Sequence, residues 1–96
     1  EVSQTHPTRI VEYSADLVWE LAGKKTAQKD VTRIMSAIRR FEFGMGNIEQ
    51  MHRRELDEYG ARVLRLKSKR WRIILEHRGN SFYRIITIGD RKYVYD

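Results

Sequence analysis

Arg62, Arg65, Lys67, Lys69, Arg70 and Arg72 all fall within residues 62–72, a stretch that contains no acid. Val63, Leu64, Leu66 and Trp71 are threaded between them, and apolar runs at 73–75 and 82–88 follow. Cations crowded into strand-like sequence repel one another, so the pattern points to a polyanion that the cluster faces. Arginine's planar fork suits phosphate better than an ammonium does. The bland alternative is a solvated sheet face, with Arg65, Lys67 and Arg72 paired to Glu76 or to helix acids. The formal net charge of +6 fits nucleic acid, an acidic protein or an anionic membrane surface, and does not choose among them.

Other chemistries find little support. The chain has no cysteine, which excludes disulfides and thiolate metal sites. His6, His52 and His77 are widely spaced, share no ligand pattern and read as solvated or structural, although His52 precedes Arg53 and Arg54. No metal or other cofactor is expected. There is no glycine-rich phosphate loop, paired-carboxylate site or Ser/His/Asp set. Trp19 and Trp71 read as core or interface rings, and Tyr59, Tyr93 and Tyr95 as possible stacking surfaces.

The elements that must position the cluster follow from periodicity. The chain has 96 residues, 41% hydrophobic and 33% charged, which suits one folded domain at 9–96 behind a loose polar arm at 1–8. No apolar run approaches the ~18–20 residues that span a bilayer, and no signal peptide is evident, so the expected setting is cytoplasmic. Residues 9–13 are short and β-branched and predict a strand. Ser14 sits as a helix N-cap with Asp16 in the first turn, and Gly23 ends that helix. Thr26 is placed to cap a second helix, whose stripe is Val31, Ile34, Met35, Ile38 and Phe41. Lys29, Arg33, Arg39 and Arg40 fall off the stripe and read as a solvated face. Residues 44–58 read as a charged connection, with Ile48, Met51 and Leu56 as possible anchors.

From residue 62 the period changes to 2. Strands are predicted at 62–67, 71–76 and 81–88, with a turn at Gly79-Asn80 and a possible last strand at 92–95. The expected fold is α+β: a small antiparallel sheet of three to four strands on two N-terminal helices, in the order β-α-α-β-β-β. A hairpin turning around Ser68 and Lys69 sets Leu66 opposite Trp71, Arg65 opposite Arg72, and Leu64 opposite Ile73. One face then carries Leu64, Leu66, Trp71, Ile73, Leu75, Ile86 and Ile88 against the helices. The other carries Val63, Arg65, Lys67, Arg72, Ile74, Tyr83, Ile85 and Thr87. Two arginines directly opposed repel unless an anion bridges them.

The segments RVLRLK (62–67), RWRIIL (70–75), YRIITIGDR (83–91) and YVY (93–95), in that order, resemble the RelE/ParE superfamily of toxins from type II toxin–antitoxin systems. The likeness covers residues 60–96 by motif and the N-terminal half by architecture alone. It implies a RelE-like microbial ribonuclease-type fold. In the RelE branch it implies a ribosome-dependent mRNA interferase, a metal-independent endoribonuclease that cuts in the A site. The message's own 2′-hydroxyl attacks the adjacent phosphate while cationic side chains stabilise the developing charge. On that resemblance Arg65, Arg72, Arg91 and Tyr95 are the catalytic candidates, and Arg62, Lys67, Lys69 and Arg70 the RNA-binding ones. Val63 stands where some nucleases have a second lysine. The implied partners are a cognate antitoxin, the ribosome and mRNA. The ParE branch, a DNA gyrase inhibitor without nuclease activity, and a non-toxic basic nucleic-acid-binding module are the alternatives.

Overall fold

Ser14 starts the first helix as its spacing predicts. In the computed structural model, which describes residues 6–50 and 63–91, its hydroxyl accepts from the Leu17 N–H at 3.2 Å. Helix α1 then runs Ala15–Ala22, and Gly23 closes it at φ 114°, a conformation that favours glycine. Helix α2, Gln28–Glu42, buries Val31, Ile34, Ile38 and Phe41 completely, so its apolar stripe is the centre of the core. Each such side chain contributes roughly 1.5–3 kcal/mol of burial. Thr26 does not cap α2: Ala27 holds the cap position, and the Thr26 hydroxyl instead donates to the Ala22 carbonyl at 3.0 Å. That bond, with the Trp19 indole N–H donating to the Thr26 carbonyl, locks the α1–α2 turn.

The sheet has five strands: β1 (Ile10–Glu12), β2 (Asn47–Gln50), β3 (Val63–Ser68), β4 (Trp71–Gly79) and β5 (Phe82–Asp90). They lie in the order β1-β5-β4-β3-β2, with β1 parallel to β5 and every other pair antiparallel. The α+β class stands, while the count of three to four strands and the purely antiparallel sheet are corrected. β2 hides in the expected connection because its NIEQ segment has one apolar side chain, Ile48, and no visible alternation. β1 joins β5 across most of the chain, a pairing with no local signature. Its neighbourhood is tied to the end of α2. The Thr8 and Arg9 N–H groups donate to the Glu42 carbonyl, and the Val11 N–H donates to the Glu42 carboxylate. The arm expected over 1–8 is therefore anchored at Thr8. Burial, and then the Glu42 carboxylate, push the Tyr13 phenol above its ordinary pKa.

The β3–β4 hairpin turns at Lys69-Arg70, not at Ser68-Lys69, with Lys69 at φ 57°. Leu66 pairs with Ile73, Leu64 with Leu75, and Ser68 with Trp71. The slip from the expected register is two residues, an even number, so every side chain keeps its face. Leu66, Trp71, Ile73 and Leu75 join the helices in the core. Across the β4–β5 hairpin a bulge between Ile74 and Leu75 leaves Ile86 as the extra residue. Beyond it the faces invert relative to expectation. Ile85 is buried in the core, Tyr83 packs edge-on against Phe41 at 4.9 Å, and Ile86 loses the core position expected of it. The turn predicted at Gly79-Asn80 falls one residue later, at Asn80-Ser81, because Gly79 is still in β4 and pairs with Phe82; Gly79 and Asn80 both have positive φ. The possible strand at 92–95, and Met51, His52, Arg53, Arg54, Leu56, Tyr59 and Tyr93, lie outside the described residues.

Candidate nucleic-acid interface

The register places the polar face of the sheet in rows. Asn47, Lys67, Arg72 and Gly89 form one row across β2, β3, β4 and β5. Glu49, Arg65, Ile74 and Thr87 form the next. The cations concentrate at the end of the sheet where the Lys69-Arg70 turn lies. Arg65 therefore opposes Ile74 and not Arg72, which corrects the expected arginine pair. The cation directly opposite Arg72 is Lys67. A like-charge cross-strand pair thus survives, made of an ammonium and a guanidinium.

This face is more buried than a solvated patch. Val63 and Ile74 are fully buried on it, and Arg72 is only 8% exposed. One Arg72 nitrogen donates to the Lys69 carbonyl at 2.8 Å and to the Trp71 carbonyl at 3.0 Å. Part of the guanidinium therefore braces the turn that displays Lys69. Gly89, beside Arg72 on β5, adds no side chain there.

Glu49 was not singled out in the sequence, yet it dominates the local electrostatics. It sits directly across from Arg65, which donates to its carboxylate, and Lys67 Nζ lies 3.7 Å from its other oxygen. The Arg65 hydrogen bond, reinforced by the charges of Arg65 and Lys67, holds the Glu49 carboxyl below its ordinary pKa. No local pattern could find this acid, because its position depends on the unrecognised β2. Glu76, the partner offered by the bland reading, is engaged elsewhere, by Arg84 at 2.8 Å and Arg78 at 3.5 Å.

The remaining predicted residues divide. Arg70 lies within 3.5 Å of both Asp30 and Asp90 and over the Trp71 ring, so it ties α2 to the sheet end. Lys69 is exposed at the turn. Arg91 is exposed, and its backbone N–H donates to the Arg70 carbonyl at 2.7 Å, which brings the end of β5 beside the hairpin turn. Arg62 and Tyr95 lie outside the described residues. His77 stacks on Tyr83 at 4.6 Å and bonds the Asn80 carbonyl through Nε2. Among the described residues no three His, Cys, Asp or Glu side chains converge as metal ligands would, and no helix is long and apolar enough to cross a membrane. The chain matches no protein-family model and no curated protein.

Proposed function

We propose that the chain is the toxin of a type II toxin–antitoxin pair, a ribosome-dependent endoribonuclease of the RelE kind. The observation that carries the reading is the row that sets Lys67 directly against Arg72, with Arg65 on the same face. Such a row concentrates positive charge on one face of the sheet. The scissile phosphate lies against that face, and Arg65 and Arg72 stabilise the charge that develops on it. Arg91 and Tyr95 complete the catalytic set by resemblance. Lys67, Lys69, Arg70 and Arg62 attract the RNA, and an acidic antitoxin neutralises the toxin. Primer extension on translating ribosomes tests this: cleavage is expected within the A-site codon. Arg72→Ala, with its fold verified by circular dichroism, is expected to lose about 100- to 1,000-fold in rate. Undiminished cutting by that variant overturns the assignment.

A second reading, the gyrase inhibitor, gains from a specific observation. Arg65 and Lys67 share Glu49 and Arg72 is buried, so these cations have structural uses. That reading expects intact mRNA and stalled gyrase–DNA cleavage complexes on induction.

A further inference from the structure

A groove of about 510 Å³ opens where the last turns of α2 face the ends of β2 and β3. Its lining includes Arg40, Lys67 and Lys69 as cations, Asn47 and Ser68 as hydrogen-bonding groups, and the half-buried Ala37 above the buried Leu66 on its apolar side. No acid lines it. Lys67 is shared with Glu49, but among the described residues no carboxylate pairs with Arg40 or Lys69. Gly46, at φ 114°, keeps the wall low: a Cβ there would come within 3.0 Å of the Leu66 side chain.

We infer that this groove is a nucleotide-phosphate subsite, with Arg40 and Lys69 on the phosphate and the half-buried Ala37 side receiving the sugar or base. The lining points to phosphate. An arginine fork, an ammonium, an amide and a hydroxyl line one open space with no acid among the described lining residues, which matches a tetrahedral group with several acceptor oxygens. The volume lies within the ~300–1,000 Å³ usual for small-ligand sites. The C-terminal dipole of α2 would oppose an anion there, yet the Arg39, Arg40 and Phe41 carbonyls are already occupied by the Phe43, Gly44 and Met45 N–H groups. The backbone at position 69 is also held: it is left-handed, and its carbonyl accepts from the buried Arg72.

The groove continues the Asn47–Lys67 end of the cationic row around the β2 edge to α2, so a strand crossing that face has a path into it. The inference concerns binding and not cleavage, so it and the nuclease reading fail separately. The probes are single-stranded oligo(dA), which lacks the 2′-hydroxyl needed for cleavage, and adenosine monophosphate. Binding to the full chain is followed by fluorescence anisotropy and by amide chemical shifts. Arg40→Ala and Lys69→Gly, the latter suited to the positive φ, are each expected to weaken oligo(dA) binding about tenfold and to flatten the log–log salt slope by about 0.7. Arg33→Ala, on the same helix but outside the groove, is expected to leave binding unchanged. The Gly46, Asn47 and Ser68 amides are expected to shift. If adenosine monophosphate moves the same amides, the subsite accepts free nucleotide; if oligo(dA) alone does so, it serves a strand. Equal losses in Arg33→Ala and Arg40→Ala, unmoved groove amides, or tighter binding of poly(Glu) at the same amides would each overturn the inference.

Discussion

Glu49 shows how one side chain redefines its neighbours. Its carboxyl is held below the ordinary range by the Arg65 hydrogen bond and by the charges of Arg65 and Lys67. A carboxyl whose pKa is lower folded than unfolded contributes stability above the unfolded value, and loses it as pH falls through the folded value. Wild-type stability is therefore expected to fall through the acid range below the usual carboxylate pKa, and Glu49→Gln to flatten that limb, as read from denaturant midpoints against pH. The same substitution removes a carboxylate charge from beside Arg65 and Lys67. Affinity for single-stranded nucleic acid is then expected to rise several-fold, with a steeper salt dependence. An unchanged salt slope would mean that these cations do not meet phosphate. Trp19 and Trp71 make a second contrast. Trp71 lies in the core and Trp19 packs half-buried against it; the Trp19 N–H has a carbonyl acceptor, whereas the buried Trp71 N–H has none among the described residues.

The bulge in β5 decides which of two adjacent isoleucines builds the core. Strict alternation back from Ile88, which pairs with Ile73, assigns that role to Ile86, and the extra residue transfers it to Ile85, which is 7% exposed; a second register shift, between His77 and Gly79, follows before the turn. Ile85→Ala is therefore expected to cost about 2–5 kcal/mol, and Ile86→Ala distinctly less. Urea unfolding of the two variants side by side measures the difference. The reverse ranking would restore the unbulged register. At the β3–β4 turn the displacement had no such consequence. It moved the partner of Arg72 from Arg65 to Lys67 but preserved the faces, since two residues make one full period of the pleat.

For the whole molecule, α2 is the hub. Its buried stripe meets β3, β4 and β5, and its C-terminal residues hold the segment leading into β1. Phe41 joins these roles. It is fully buried, meets Tyr83 edge-on, and lies under the Arg9 guanidinium at 4.4 Å. Phe41→Ala is expected to cost about 3–5 kcal/mol, a large share of the stability of a domain of this size. Calorimetry checks this: a melting temperature within a few degrees of wild type would remove Phe41 from the centre of the core.

Period and composition alone determined the two helices, their caps at Ser14 and Gly23, the α2 stripe, four strands, a turn within one residue of Gly79-Asn80 and the cationic identity of residues 62–72. Those features rest on neighbours in the chain, where spacing and turn chemistry are direct evidence. Tertiary structure decided the rest. The placement of β2, the parallel docking of β1, the bulge at Ile86, the pairing of Glu49 with Arg65, and the diversion of Arg70 to Asp30 and Asp90 all join residues distant in sequence. Such contacts depend on which strands meet and in what register, and a list of residue types carries no measure of that. The cluster was therefore legible as charge. Which cations face a ligand and which hold the fold together emerged only once acids from α2, β2 and β5 came beside them.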